Sequence, residues 1–200
     1  MIVTERLAPA IWDEIGLSDR ETFSDGRHLI VYGQRTADGR IAFGGRGAPY
    51  HYGSRIRPRF DHESGVFDYL EETLREMFPV LANSAVEAAW GGPLAIPRDW
   101  QPSIRFDRST GVATAGGYVG QGVAATNLAG RTLRDLILGH STHLTGLSWV
   151  GHHSRKWEPE PLRWTGVNVG RILTESIDRA EQAGRHPRIR HAILERLPIG

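Results

Sequence analysis

The most restrictive feature of this sequence is the stretch GGYVGQGVAATNLAGRTLRDLILG at residues 116–139, in which closely spaced glycines precede an apolar segment with helical spacing. The preceding run SIRFDRSTGVATAGG predicts a hairpin that turns at Ser109–Gly111, and its returning strand continues directly into the glycines. The sequence therefore predicts a strand, a glycine turn and a helix in direct succession. The first N–H groups of such a helix, and its positive dipole end, are available to an electron-rich acceptor.

The spacing of these glycines excludes the pyrophosphate-binding turn of dinucleotide enzymes. That fingerprint has the order G-x-G-x-x-G, with an acidic residue about 20 positions later at the end of a second strand. Here the order is Gly117-x-x-Gly120-x-Gly122, and Asp135 falls inside the predicted helix. A helix that packs closely on a neighbour through its small residues, with no ligand, is the alternative interpretation.

A second clear signal is the run HLIVYGQRTADGRIAFGGRG, in which two strand-like segments flank Asp38-Gly39. This pair predicts a two-residue hairpin turn, which places Tyr32 opposite Gly45 and Gly33 opposite Gly44. One face of the hairpin then carries His28, Ile30, Tyr32, Gln34, Ile41 and Phe43. Two opposed glycines indicate that something approaches the backbone closely, and a twisted or bulged hairpin without a ligand is the alternative.

The remaining patterns predict an α+β fold, with an antiparallel sheet and helices packed against it. MIVTERL and VEAAWGG have the character of short strands, and PLAIPRDWQP that of an irregular loop. FDYLEETLREMF predicts a helix that ends before Pro79 and buries Phe67, Leu70, Leu74 and Phe78. A last helix over about residues 167–183 is predicted to bury Val169, Ile172, Leu173 and Ile177, with Gly184 at its stop.

The composition is that of a globular protein, and its charge balance does not indicate a nucleic-acid partner. The 200 residues are 40% hydrophobic and 24% charged, with a net charge of +1 and no cysteine. A nucleic-acid partner is therefore not indicated, and thiolate metal sites are excluded. No apolar run reaches the roughly 18 residues of a membrane span, and MIVTERLAP lacks the features of a signal peptide. We expect a cytoplasmic protein.

Two segments carry a resemblance to a known family. Residues 90–139, from WGGPLAIPRDW to LILG, resemble the C-terminal section of the FAD-dependent oxidoreductases of the D-amino-acid oxidase (DAO) superfamily. The segment YGQRTADGRIAFGGRGAPY resembles the substrate-domain hairpin of the same group, nearest to its γ-glutamylputrescine oxidoreductase-like members. The resemblance covers about residues 1–185. It implies a substrate-binding portion over residues 1–100, a hairpin and helix of the FAD domain over 101–139, and a C-terminal irregular segment and helix over 140–200.

The resemblance implies FAD as cofactor and a role for the glycine turn. In the family this turn faces the pyrimidine edge of the flavin near N1 and O2, where a helix dipole favours the negative charge of the reduced ring. The match assigns flavin contacts to Gly117, Tyr118, Gly120, Gln121, Gly122 and Val123. The implied reaction is hydride transfer from a C–H bond next to nitrogen in an amine or amino acid, then imine hydrolysis. No side chain is assigned a catalytic role.

The sequence departs from the family pattern at two positions that bear on the substrate. Gly92-Pro93 stands where many members that oxidise α-amino acids have Arg-Pro, and glycine cannot clamp a carboxylate. An amine or an ω-substituted amine is therefore favoured. Tyr118 replaces a histidine that is often found in the turn. Tyr32, Gln34, Trp90 and Tyr118 are the candidate substrate-lining residues. Cross-strand packing is the alternative for Tyr32, and a core position is the alternative for Trp90.

The first glycine fingerprint of the family, for the ADP half of FAD, belongs far upstream of this turn. We therefore expect an N-terminal FAD-binding domain as a missing partner, whether this chain is a fragment, a frame with a late start or a separate subunit. The rival hypothesis is a non-catalytic binding module that lacks the nucleotide-binding half. A metal site on His140, His143, His152 and His153 is disfavoured against ordinary loop histidines, because no secure helix or carboxylate accompanies them.

Overall fold

The computed structural model describes residues 1–196 and divides them into two units. The first unit contains residues 1–92 and the described residues from 164 onward, and the second contains residues 93–163. In chain order the strands and helices are β1 (Ile2–Thr4), α1 (Pro9–Ile15), β2 (Thr22–Ser24), β3 (Val31–Arg35), β4 (Ile41–Gly45), α2 (Ser64–Met77), β5 (Val86–Ala89), β6 (Ser103–Asp107), β7 (Val112–Gly116), α3 (Gly122–Leu138), α4 (Leu162–Gln182) and α5 (Arg188–Arg196). The predicted α+β class is confirmed.

The first unit is organised around an antiparallel sheet with the strand order β2-β3-β4-β1-β5. One face of this sheet carries fully buried side chains from three different strands, namely Ile2, Val31, Ile41 and Phe43. Helix α2 covers that face with Leu70 and Leu74, as its helical spacing predicts. Phe67 and Phe78 are partly buried against the same core. The predicted core helix is therefore confirmed, and it ends at Met77, two residues before Pro79.

The predicted register of the β3–β4 hairpin is wrong by one residue. Tyr32 lies opposite Gly44 and Gly33 lies opposite Phe43. A two-residue turn of the predicted type needs positive φ at both Asp38 and Gly39, and only Gly39, at 79°, has it. Instead Thr36 accepts a hydrogen bond from Gly39 and donates one to Arg40. The loop is therefore one residue longer, with glycine in the left-handed position.

The shift of register also overturns the predicted faces of the hairpin. Side chains alternate along a strand, so moving one strand by a single residue transfers all of its side chains to the other face. Ile41 and Phe43 consequently share the buried face with Val31 and not the face of Tyr32. Val31, Ile41 and Phe43 together supply the alternating apolar pattern that holds this register.

Helix α4 begins earlier than predicted and buries a different face. Val169 and Ile172, predicted to be buried, are 50% and 55% exposed, whereas Ile177 is fully buried as predicted. The other large buried side chains of the helix are polar, Asn168 and Asp178. The predicted helix stop at Gly184 is confirmed, because this residue has φ 70° and its N–H donates to Glu181.

The second unit is a hairpin covered by a long helix. β6 and β7 pair antiparallel and turn through residues 108–111, which confirms the predicted second hairpin. Helix α3 packs on both strands and buries Ala129 and Thr132, and Ile104 of β6 is also fully buried. None of the helices over residues 1–196 has the length and apolar character needed to cross a membrane.

Candidate functional site

The glycine turn joins β7 to α3 through backbone conformations that most residues avoid. β7 ends at Gly116, and Gly117, Val119 and Gly120 follow with φ of 78°, 50° and 88°. Helix α3 then begins at Gly122. The predicted succession of strand, glycine turn and helix is therefore confirmed.

Val119 is the unusual residue of this turn. A β-branched residue at positive φ is a genuine outlier, with a cost of about 1–3 kcal/mol that persists only where the surroundings determine the conformation. Val119 is 7% exposed, so burial of its side chain holds the strained backbone. Strain of this kind concentrates at binding sites and switches. The turn is thus a preformed element and not a flexible connection.

Gly117 has a packing role that is independent of any ligand. A Cβ atom at this position would lie 2.6 Å from Cγ of Pro97 and 3.3 Å from the carbonyl oxygen of Gln101. Only glycine allows the preceding loop to lie this close to the turn, and the positive φ also favours glycine. Whether Gly117 contacts a cofactor stays a prediction.

The first turn of α3 is open. Gln121 occupies the N-cap position without a side-chain capping hydrogen bond, and Val123 is 96% exposed. A Cβ atom on Gly122 would make only ordinary contacts, 3.8 Å from Cδ2 of Tyr118 and 3.9 Å from the methyl group of Thr126. The structure therefore brings Tyr118, Gln121, Gly122 and Val123 together at an exposed helix start, where backbone N–H groups and the helix dipole favour an electron-rich acceptor.

Asp135 lies near the other end of α3 and has an internal role. The side chain is 1% exposed and accepts hydrogen bonds from Oγ1 of Thr142 at 2.7 Å and from the guanidinium of Arg134. These contacts, that of Thr142 first, hold the pKa of Asp135 below its usual range. Asp135 thereby joins α3 to the segment that follows it, and both of its carboxylate oxygens accept hydrogen bonds from other side chains of the protein.

Tyr32 and Gln34, two of the candidate substrate residues, lie on the same face of β3 in the first unit. Tyr32 is 48% exposed, and its Cε2 atom is 3.2 Å from where a Cβ atom of Gly44 would stand. The side-chain amide of Gln34 donates to the carbonyl of Arg20 at 2.9 Å. Both residues thus have contacts within the protein, and their role toward a substrate stays a prediction.

Trp90 lies elsewhere in the first unit, after the edge strand β5. The backbone N–H of Trp90 donates to the carbonyl of Met1 at 2.9 Å. The terminal ammonium of Met1 donates to the carbonyl of Trp90 at the same distance. The Trp90 side chain is 44% exposed, so it is not a core residue. Strands β4 and β1 separate it from the strand that carries Tyr32.

Neighbouring side chains of the same protein explain why residues 33 and 44 of the hairpin are glycines. A Cβ atom on Gly33 would overlap the ring of Phe23, 2.9 Å from Cε1, and a Cβ atom on Gly44 would overlap the sulfur of Met1. The two glycines are not opposed, as the predicted register had them. The close approach that they indicate is therefore made by Phe23 and Met1 and needs no ligand.

Two of the four loop histidines, His152 and His153, form side-chain contacts with residues other than histidine. Nε2 of His152 is 2.7 Å from Oδ2 of Asp99, and Nδ1 of His153 is 3.1 Å from the guanidinium of Arg105.

A charge pair between a buried arginine and a partly exposed glutamate in the second unit has no signal in the sequence. Arg98 is 4% exposed and makes hydrogen bonds of 3.0 and 3.2 Å to the two carboxylate oxygens of Glu158. Its guanidinium also lies 4.8 Å above the ring of Trp157. Arg98, followed by the backbone of Glu158, holds the pKa of the Glu158 carboxyl below its usual range. The partners are 60 residues apart, and no periodic pattern connects them.

The chain is similar to FAD-dependent oxidoreductases. The sequence model of the family described as FAD dependent oxidoreductase (DAO) matches residues 1–136, which include the glycine turn. The chain is 35% identical over 124 residues to the probable oxidoreductase OrdL of Rhizobium meliloti (strain 1021), over 62% of this chain and 27% of that protein. It is 29% identical over 154 residues to the γ-glutamylputrescine oxidoreductase of Escherichia coli (strain K12), over 76% of this chain and 33% of that protein. The chain thus spans about a third or less of the length of these relatives.

Proposed function

This chain belongs to the FAD dependent oxidoreductase (DAO) family, and we propose that it forms part of an enzyme that oxidises an amine or amino acid. In this proposal the residues of the glycine turn contact the flavin. The observation on which the proposal depends most is the strained glycine turn that opens the uncapped helix α3.

The residues at this turn fit the pyrimidine edge of a flavin ring. That edge presents acceptor atoms, and the start of α3 presents N–H groups without a side-chain cap. Gly120 and Gly122 have no Cβ atom that would keep a flat ring at a distance, and the side chain of Val123 is exposed. A helix of 17 residues supplies the dipole behind these N–H groups.

FAD, when bound, supplies the acceptor for a hydride from the carbon next to the substrate nitrogen. The residues of this chain have the task of orientation and electrostatics. The N–H groups of Gly122 and Val123 stabilise negative charge at the ring edge, because preorganised dipoles need no rearrangement during the reaction. Gly117, Tyr118, Gly120 and Gln121 are the further flavin contacts that we propose, and the Tyr118 ring stands beside the helix start.

The substrate that we propose is an amine that is not held through an α-carboxylate. Gly92 provides no guanidinium for such a clamp. A Cβ atom on Gly92 would meet nothing within 4 Å, so packing does not explain the glycine. Escherichia coli γ-glutamylputrescine oxidoreductase is named for an amine substrate, which fits this class. Tyr32, Gln34, Trp90 and Tyr118 are the side chains that we propose as substrate contacts.

In dinucleotide-binding folds a glycine fingerprint holds the pyrophosphate next to the ADP half of the cofactor. Residues 1–200 contain no G-x-G-x-x-G sequence, and we propose that a nucleotide-binding domain provides these contacts. The 200 residues purified alone are therefore expected to be colourless. A yellow preparation with one flavin per chain would contradict this assignment.

The test of the function uses protein expressed from the complete gene that contains this sequence. Under anaerobic conditions, γ-glutamylputrescine and simple primary amines are expected to bleach the flavin absorbance faster than α-amino acids do. Faster bleaching by α-amino acids would overturn the substrate class. Protein without flavin, or with flavin that no amine reduces, would favour the alternative of a non-catalytic binding module.

A further inference from the structure

Three residues from distant parts of the chain meet at the C-terminal end of α4. His28 precedes β3, Glu181 lies in the last turn of α4, and His191 lies in α5. Nε2 of His191 is 2.8 Å from Oε1 of Glu181, and Nε2 of His28 is 3.4 Å from Oε2 of the same carboxylate. One ligand atom from each of the three residues lies within 4.8 Å of the other two.

The ligand atoms lie within the range of distances found around a coordinated metal ion. Ligand atoms that stand about 2.0–2.2 Å from a tetrahedral zinc ion lie about 3.4 Å from each other. Nε2 of His28 lies at this distance, 3.4 Å, from one oxygen of Glu181, and Nε2 of His191 lies nearer, 2.8 Å, to the other oxygen. The imidazole rings of His28 and His191 meet edge to face at 61°, with centroids 5.2 Å apart.

Contacts that do not use the ligand atoms hold the three residues in place. The backbone N–H of His28 donates to the carboxylate of Asp178 at 2.8 Å, and Asp178 lies one turn before Glu181 on α4. The guanidinium of Arg190, next to His191, donates to the carbonyl of Ser176 at 2.7 Å. Both segments are thus fixed to α4 independently of the cluster, which preorganises its ligands.

The cluster is also open to solvent. The side chains of His28, Glu181 and His191 are 38%, 39% and 33% exposed, which leaves a path for an ion and room for a water ligand.

We propose that His28, Glu181 and His191 form a binding site for a divalent transition-metal ion of the zinc type. Two imidazole nitrogens and one carboxylate oxygen suit zinc, whereas magnesium and calcium prefer sites made of oxygen atoms alone. The ion would connect the segment before β3, the end of α4 and helix α5. Because such a site exists only in the folded chain, zinc would stabilise the fold and would fix α5 to the rest of the first unit.

The experiment is a zinc titration of the 200-residue chain, with isothermal calorimetry and the imidazole NMR signals as readouts. We expect one zinc ion per chain, with the signals of His28 and His191 shifting together, and no response to magnesium. His28→Gln, Glu181→Gln and His191→Gln should each weaken binding by about tenfold or more, since even loss of an outer-shell partner costs about 10–100-fold. His143→Gln, an exposed histidine on another part of the chain, is the matched control and should bind as the unaltered protein does.

Three results would overturn the proposal. They are no zinc binding to the unaltered chain, binding that leaves the signals of His28 and His191 unchanged, and binding that all three ligand variants retain. In each case the cluster is a metal-free hydrogen-bonded group. The NMR readout needs no substitution, so the proposal is tested even if one variant folds poorly.

Discussion

The carboxylate of Asp178 accepts a hydrogen bond of 2.8 Å from the backbone N–H of His28, which lies 150 residues earlier in the chain. Its second oxygen accepts another of 2.9 Å from the N–H of Leu29. Asp178 is 5% exposed, so these bonds are shielded from water. A buried carboxylate with two backbone donors fixes α4 to the segment that enters β3.

We expect Asp178→Asn to lower the free energy of unfolding by about 1–3 kcal/mol. The amide group can accept only one of the two bonds, and the other N–H is left without a buried acceptor. Asp68→Asn on the exposed side of α2 is the matched control, with an expected effect within about 0.5 kcal/mol. Urea denaturation of both variants gives the comparison. Equal stabilities would show that the Asp178 bonds contribute nothing.

Gly33→Ala is expected to destabilise the protein by about 1–3 kcal/mol, because the new methyl group must displace the ring of Phe23 from the core. Gly26→Ala is the control, since a Cβ atom there meets nothing within 4 Å and the backbone is not left-handed. The free energies of unfolding of both variants are compared in urea. In a Phe23→Leu background, the cost of Gly33→Ala should become smaller. A cost that the background does not change would exclude contact with Phe23 as the cause.

Most elements of the first unit were predictable, but the details of the hairpin were not. The Asp38-Gly39 pair correctly predicted the hairpin, while its register depended on a loop that is one residue longer. The positions of Val31, Ile41 and Phe43 favour the observed register, because it buries all three on one face and the predicted register does not. Strand β2 is too short for any pattern, and it pairs with β3 where Phe23 covers Gly33.

The buried face of α4 shows a second limit of sequence patterns. Apolar periodicity selected Val169 and Ile172, which are exposed, because it assumes that buried side chains are apolar. Asn168 is buried because it exchanges hydrogen bonds with the backbone of Tyr50, 118 residues away. The cluster of His28, Glu181 and His191 likewise had no signal in the sequence, because only the fold brings these residues together. The glycine turn was predictable, because its glycines and the strand and helix that flank it are consecutive in the sequence.

The turn of the β3–β4 hairpin has a consequence for titration. Asp38 accepts hydrogen bonds from Oγ1 of Thr36 at 2.6 Å and from Nε of Arg40 at 2.8 Å. These bonds, that of Thr36 first, lower the pKa of Asp38 to about 2. Because the folded pKa is lower than the unfolded value of about 3.9, the carboxylate favours folding above that pH. This contribution is lost as the pH falls through about 2.

We expect an NMR titration of the Asp38 side-chain carboxyl carbon to show a midpoint near pH 2. Thr36→Val removes the strongest hydrogen bond and should raise the midpoint. Thr22→Val, an exposed threonine on β2, is the control and should leave it unchanged. An ordinary aspartate midpoint in the unaltered protein would contradict the geometry of this turn.

The last prediction tests the role that we propose for the start of α3. Gly122→Val should fold normally, because the added Cβ atom meets only Tyr118 at 3.8 Å and Thr126 at 3.9 Å, both ordinary contacts. In protein expressed from the complete gene, the branched side chain should occupy space that the flavin ring needs. We therefore expect a melting temperature of the flavin-free protein close to that of the unaltered protein, with a large loss of bound flavin and of amine turnover.

Gly65→Val is the matched control for this substitution, since Gly65 also lies in the first turn of a helix, α2, with no atom within 4 Å of a Cβ atom. It should leave flavin content and turnover unchanged. A Gly122→Val protein with full flavin content and normal turnover would show that the first turn of α3 does not face the cofactor. A protein that loses flavin only together with its melting temperature would assign Gly122 to packing, because steric exclusion of a ligand leaves the flavin-free fold intact.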